Sequence, residues 1–153
     1  MIEVLNLSDQ NPTLIHATYG HILLAAWPKS EAGDTARHAT RNNVIIGAGI
    51  NGFAAGILFG SIPDINNSQT ERIATVSLVA TTDKYRRSGV ATAMFVAFLD
   101  AVKSASVGAL TMQATSPEAH AALTTLGANK VDVEDYRIET DDALLFLGSR
   151  SSH

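Results

Sequence analysis

Arg86-Arg87-Ser88-Gly89-Val90-Ala91 is the stretch on which the reading of this chain turns. It comes after a β-rich segment, Arg72–Ala80, carrying Ile73, Val76, Leu78 and Val79. It also opens the strongest helical pattern in the sequence, Gly89–Ser104, in which Val90, Met94, Phe98 and Ala101 form one face and Ala91, Phe95 and Leu99 widen it. A glycine turn between strand and helix aims successive backbone N–H groups at one point, and the helix dipole adds partial positive charge there. Arg86 and Arg87 add full charges beside it. Such a point suits a phosphate or pyrophosphate. It is not a Walker loop, because no Gly-Lys-Ser/Thr comes next. Taken alone, the pattern fits a basic helix start with an ordinary glycine turn equally well.

The flanking segments supply the context. Ile2–Leu7 alternates apolar and polar residues and predicts a strand. Asn11-Pro12 has the form of a helix cap succeeded by a first-turn proline. Leu14, Thr18, Ile22 and Ala25 then recur at helical spacing up to Ala26, and Trp27-Pro28 ends the run. Ser30–Asn43 is polar, with room for a second short helix. Val44-Ile45-Ile46 and Phe53–Phe59 predict two strands, and Ser61–Glu71 a polar loop. Ala109–Ala114 predicts another strand. Ser116-Pro117-Glu118 is a helix start, closed by Gly127. Val131–Ile138 and Ala143–Leu147 predict two last strands around Asp141-Asp142. The order is β-α-(α)-β-β-β-α-β-α-β-β, with antiparallel hairpins at both ends and a β-α-β unit in the middle.

A second glycine motif, Gly47-Ala48-Gly49-Ile50-Asn51-Gly52, matches G-x-G-x-x-G after a strand. A dinucleotide site needs a helix next. The adjoining residues contain Gly56 and Gly60 and run to Pro63, and two interior glycines cost a helix about 1 kcal/mol each. Asn51-Gly52 is the preferred sequence of a two-residue hairpin turn. The hairpin is therefore the expectation, and a nucleotide-binding domain built on Gly47–Gly52 the weaker rival.

Composition bounds the rest. The 153 residues, 46% apolar and 17% charged, suit a single globular domain spanning 1–153, with an ordered part of about 1–148 and a short tail. Without cysteine there is no disulfide framework, thiolate metal site or cysteine nucleophile. The net charge of −4 argues against a nucleic-acid partner. No apolar run reaches the roughly 18 residues of a membrane span. Met1-Ile2-Glu3-Val4 lacks the basic start and apolar stretch of a secretory signal, so a cytoplasmic location is expected. The five histidines show no metal spacing, and no metal is expected.

The spacing Arg86-x-x-Gly89-x-Ala91 resembles the pyrophosphate-binding motif of the GNAT N-acetyltransferase superfamily, Gln/Arg-x-x-Gly-x-Gly/Ala, and Tyr85 stands where that family often has a tyrosine. Ser116–Ala128 runs in register with the family's Asn-x-x-Ala-x-x-x-Tyr-x-x-x-Gly-Phe block. The order of elements agrees too, so the resemblance covers nearly the whole chain. It implies an α/β (α+β) acyl-CoA N-acyltransferase fold, with a mixed, mostly antiparallel sheet of six or seven strands flanked by about four helices. It implies acetyl-CoA or another acyl-CoA as cofactor. Val79, Ala80 and Thr81 would lie along its pantetheine arm. Arg86, Arg87, Ser88, Gly89, Val90, Ala91 and Thr92 would surround its phosphates, with Ser116 nearby. The activity implied is transfer of an acyl group, expected to be acetyl, to a primary amine on a small molecule or peptide. Sheets of this family often pair through edge strands, which allows a homodimer.

Departures from the pattern bear on catalysis. Leu123 stands where the family often has a tyrosine that protonates the departing thiolate, and Thr75 where some members carry a glutamate. Ser116 replaces an asparagine, Ala128 a phenylalanine and Asp83 a proline. Acyl transfer to an amine needs a proton removed from the amine and a donor for the oxyanion, with or without an acid for the thiolate. His120, Glu71 and Tyr136 are the candidates for proton transfer, although a structural or solvated place accounts for each more readily. His16 and His21 fall on the first helix, which tends to border the acceptor side in this family. The acidic stretch Asp132–Asp142 suits a solvated hairpin face, or attraction of a cationic amine. Leu123 and Thr75 motivate the main alternative, a GNAT-fold domain that binds acyl-CoA or a protein partner without catalysis.

Overall fold

The computed structural model describes residues 2–26, 43–63, 73–85, 89–113, 129–130 and 135–139. Among the described residues, seven strands and two α-helices run in the order β1 (Ile2–Asn6), α1 (Pro12–Ala26), β2 (Val44–Ile50), β3 (Phe53–Ser61), β4 (Ile73–Thr81), α2 (Val90–Ser104), β5 (Ala109–Gln113), β6 (Asn129–Lys130) and β7 (Asp135–Glu139), with a 3-10 turn over Asp83–Tyr85. The strands take the order β1-β2-β3-β4-β5-β7-β6 in one mixed sheet. β4 and β5 pair in parallel, through Ile73↔Ala109 to Val76↔Met112, and α2 is the crossover that a parallel pair requires. The expected second short helix within Ser30–Asn43, the helix from Ser116 and the strand Ala143–Leu147 lie outside the described residues.

The chain divides into two compact units, Met1–Ser61 with Ser77–Phe98, and Ile62–Val76 with Leu99–His153. In the first, β1 and β2 pair antiparallel from Ile2↔Ile50 to Asn6↔Ile46. The pairing is extended when the Leu7 amide donates to the Ile45 carbonyl at 2.7 Å and the Ile45 amide donates to the Ser8 hydroxyl at 3.0 Å. β2 and β3 form the predicted hairpin. Its loop residues have φ of 52° at Asn51 and 83° at Gly52, as a type I′ turn demands. The register steps from Ala48↔Gly56 to Gly49↔Ala54, so Ala55 is an extra residue, a bulge in β3. The G-x-G-x-x-G sequence therefore leads into a strand, and no helix receives a pyrophosphate there.

Helix α1 begins as its sequence predicts. The Asn11 side-chain oxygen accepts the Thr13 amide at 2.8 Å, and Pro12 occupies the first helical position. Its buried stripe differs from the expected one. Leu14 is 60% exposed and Thr18 is exposed, whereas Ile15, Tyr19 and Ile22 are buried with Leu7, Ile45, Ile57 and Phe59. The two stripes share Ile22 and differ elsewhere by about 100° of helix rotation. Tyr19 decides between them. A side chain on Gly47 would put its Cβ 2.5 Å from the Tyr19 hydroxyl and 2.7 Å from Leu7 Cδ1, so the glycine leaves the space the ring fills. Burial of that phenol holds its pKa above the ordinary value of 10.0.

In the second unit, β5 pairs antiparallel with β7 from Ala109↔Glu139 to Gln113↔Asp135, and β7 with the short β6. Asn129-Lys130 gave no strand signal, since both residues are polar; pairing with Arg137 and Tyr136 makes the strand. Leu99, Val102, Val107, Ala109 and Leu110 are buried. Helix α2 closes in a left-handed cap at Ser106, φ 60°, where the Ser106 amide donates to the Lys103 carbonyl and the Val107 amide to the Val102 carbonyl. The buried stripe of α2 runs through Val90, Met94, Phe95, Phe98, Leu99 and Val102, so its last turn buries Val102 where Ala101 was expected.

Candidate active site

Two segments of the first unit converge on Gly56 of β3. A Cβ at that position would lie 2.9 Å from Val90 Cγ1, 2.9 Å from Met94 Cε and 3.1 Å from the Ala80 carbonyl oxygen. The missing side chain thus brings the end of β4 and the start of α2 onto the same point of β3. Ala80 is buried, while Val79 and Thr81 on either side of it are half-buried. In the sequence, Gly56 served only to argue against a helix. A glycine inside a strand is also the mark of a close approach, and that signal was available.

The turn between these segments is held at both ends. At the strand end, the Thr82 amide donates to the Ala55 carbonyl at 2.9 Å, and the Thr82 carbonyl accepts the Tyr85 amide at 3.1 Å. At the helix end, the Gly89 carbonyl accepts the Ala93 amide at 2.9 Å, which makes Gly89 the N-cap. Gly89 has φ 85°, a left-handed conformation that side-chain-bearing residues rarely adopt. Its surroundings are open, since a Cβ there would meet only Ile2 Cδ1, at 3.8 Å. The backbone conformation, not crowding, is what calls for glycine.

The amides of Val90, Ala91 and Thr92 have no acceptor within the helix. Gly89 and Thr92 are exposed, Ala91 is half-buried and Val90 is buried, anchoring the turn. The first turn of α2 contains no acidic residue, so nothing on the helix neutralises the positive end of its dipole. The Lys84 ammonium lies 5.3 Å from the centre of the Tyr85 ring and adds a cation to the same turn, one that the motif spacing did not point to. One polar atom here stands out. The Thr82 hydroxyl oxygen is buried, with no hydrogen-bond partner among the described residues.

The other predicted residues are distributed over the chain. Arg86, Arg87, Ser88, Glu71, Ser116, His120 and Leu123 lie outside the described residues. Tyr136 is in β7, opposite Met112 of β5 and Lys130 of β6. Thr75 is exposed on β4, in register with Thr111 of β5. Ser77 is exposed as well, whereas Ala74 and Val76 are buried, so this part of β4 alternates. His16 and His21 are exposed on α1. Among the described residues no group of three or more acidic residues and histidines could hold a metal ion. Among them, too, no helix is long and apolar enough to cross a membrane.

No family model matches the sequence. No curated protein matches it either. Solved structures do match the fold. A GNAT-family protein from Desulfovibrio desulfuricans superposes with a TM-score of 0.67 at 13% identity, over 92% of this chain and 99% of that one. The ribosomal-protein-S18-alanine N-acetyltransferase of Escherichia coli gives a TM-score of 0.71 at 17% identity, over 92% and 94%. An aminoglycoside N-acetyltransferase solved in complex with CoA gives 0.67 at 14% identity, over 86% and 90%. At these identities the likeness is one of architecture, a mostly antiparallel sheet that contains the parallel β4–β5 pair. The chain has the GNAT acyl-CoA N-acyltransferase fold.

Proposed function

We propose that this protein is an acyl-CoA-dependent N-acyltransferase, with acetyl the first expectation for the acyl group. The observation that carries the reading is the opening of α2: a left-handed glycine cap, amides at Val90, Ala91 and Thr92 that have no acceptor within the helix, and no acid in the first turn. This arrangement suits a pyrophosphate. Arg86, Arg87 and Ser88 would complete the phosphate site, and Val79, Ala80 and Thr81 would run beside the pantetheine arm. Bound acyl-CoA would supply the acyl group as an activated thioester. The protein's part is to hold that group and an amine in reacting geometry, a contribution that can be large without a dedicated acid. Amine acceptors are named for two proteins of the same fold, one acting on an alanine of a ribosomal protein and one on aminoglycosides. That supports a primary amine as acceptor here.

The test is calorimetric titration of the pure protein with acetyl-CoA and CoA, with NAD as control. Micromolar binding of acetyl-CoA, about −8 kcal/mol, is expected, with none of NAD. Failure of both CoA forms to bind overturns the reading. A second reading, acyl-CoA binding without catalysis, is favoured by Thr75, an uncharged side chain exposed on β4. It predicts the same titration and no thioester consumption with any amine.

A further inference from the structure

We propose that β1 is a docking edge for a second copy of this chain, and that two copies pair β1 to β1, antiparallel, about a two-fold axis at Val4. The inference stands apart from the acyl-CoA reading. The family resemblance allows pairing through a sheet edge; which edge and which register are argued here from exposure, backbone direction and charge. β1 and β6 are the outer strands of the sheet. β6 has two residues and carries Lys130, a charge of the kind that blunts an edge. β1 has five residues, Ile2-Glu3-Val4-Leu5-Asn6, with no lysine or proline among them, and it pairs with β2 without a register shift. Glu3, Val4, Leu5 and Asn6 are all exposed, whereas β2, with a strand on each side, is buried from Ile45 to Ala48. Side chains alternate between faces along a strand, so β1 is open on both. Val4, 38% exposed, and Leu5, 49% exposed, present apolar side chains on opposite faces.

The register follows from backbone direction and charge. The Leu7 amide donates to the Ile45 carbonyl, so the backbone groups of Leu7, and by alternation those of Leu5 and Glu3, are directed at β2. Those of Ile2, Val4 and Asn6 are directed outward. An axis at Val4 sets Val4 opposite Val4 of the second copy as a hydrogen-bonded pair, and Ile2 opposite Asn6. All three outward residues then bond. Moving the axis to Glu3 leaves Asn6 out, and moving it to Leu5 leaves Ile2 out. An axis at Glu3 also puts two carboxylates directly opposite each other, which is unfavourable. With the axis at Val4, each Glu3 faces Leu5 instead. A two-fold operation lets each β1 edge satisfy the other, so assembly stops at two copies. Two such short strands cover less than the roughly 800 Å² per partner of a standard interface, so a dissociation constant of about 10 µM is expected.

Light scattering on size-exclusion fractions of untagged wild type, from about 1 to about 200 µM, is expected to show monomer at the bottom of the range and dimer at the top. Val4→Lys places two like charges opposite each other at the axis. It is expected to stay monomeric throughout and to unfold thermally as dilute wild type does, because the position is exposed. The chain has no cysteine, so single substitutions report the register. Hydrogen-bonded cross-strand neighbours lie about 5.5 Å apart between Cα atoms, within disulfide reach. Val4→Cys is expected to cross-link two copies under mild oxidation. Leu5→Cys, which faces Glu3, is expected to do so at least about tenfold more slowly. Wild type that is monomeric at about 200 µM, or Val4→Lys that dimerises as wild type does, overturns the proposal. Cross-linking of Leu5→Cys as fast as Val4→Cys overturns the axis at Val4. CoA titration is indifferent to all of these outcomes.

Discussion

The Thr82 amide donates to the carbonyl of Ala55 at 2.9 Å, and Ala55 is the extra residue of the bulge in β3. This bond fixes where β4 ends and the turn toward α2 begins. The next residue of β3, Gly56, lies under both Ala80 and Val90. A bulge bends its strand and re-aims the residues beyond it. Here it places a carbonyl for the strand end and a bare backbone position for the helix start in consecutive residues. The candidate site is thus built on β3, which contributes no predicted binding residue.

Gly56→Ala tests that construction. The new methyl group would sit 2.9 Å from Val90 Cγ1 and Met94 Cε and 3.1 Å from a backbone oxygen, which cannot move aside as a side chain can. A loss of about 1–3 kcal/mol in urea unfolding is expected. CoA affinity should fall with it, because the displaced element is the start of α2. Wild-type stability in this variant would show that β3 does not support the helix start.

Gly89 separates conformation from charge. Gly89→Ala forces a side-chain-bearing residue into φ 85°, at a cost of about 1–2 kcal/mol, although space for the methyl group is open. Gly89→Glu carries the same strain and adds a negative charge at the helix N-terminus. CoA titration should find Gly89→Glu at least about tenfold weaker than Gly89→Ala, that ratio being the electrostatic part. Adding Arg86→Ala to Gly89→Glu should weaken binding further and spare the fold. Equal affinity in Gly89→Ala and Gly89→Glu would remove the phosphate from this turn.

Tyr19 gives the pH dependence. Burial raises its pKa in the folded state above the unfolded value of 10.0. The unfolded chain therefore loses that proton first as pH rises. The stability due to the neutral phenol is fully present below pH 10.0 and is lost progressively from there up to the higher folded pKa. Unfolding monitored from about pH 8 to about pH 11 should show a decline above about pH 10 that is smaller in Tyr19→Phe. An identical alkaline decline in both proteins would mean that the phenol is not the group responsible.

Ser106→Gly should stabilise. Ser106 closes α2 at φ 60°, a position where glycine is the usual residue and serine carries a steric cost of about 1–2 kcal/mol. Glycine's greater freedom in the unfolded chain offsets part of the gain, so an increase of about 0.5–1 kcal/mol in unfolding free energy is expected. A decrease would show that the serine side chain makes a contribution larger than the strain it carries.

By itself the sequence determined the features set by neighbours along the chain. Asn51-Gly52 specifies a type I′ hairpin because few other residues accept two successive positive φ values. Asn11-Pro12 specifies the start of α1, and the spacing of Val90, Met94 and Phe98 specifies which face of α2 is buried. The glycine that opens α2 was legible for the same reason, since its conformation is a local matter. Tertiary structure decided whatever depends on residues distant in sequence. Leu14 and Ile15 are both apolar neighbours on α1, and only the space above Gly47, which Tyr19 fills, selects the stripe containing Ile15. Asn129 and Lys130 form a strand because Arg137 and Tyr136 are there to pair with them. The convergence of Ala80 and Val90 on Gly56, and the burial of the Thr82 hydroxyl, arise from packing between segments tens of residues apart, which no local periodicity encodes.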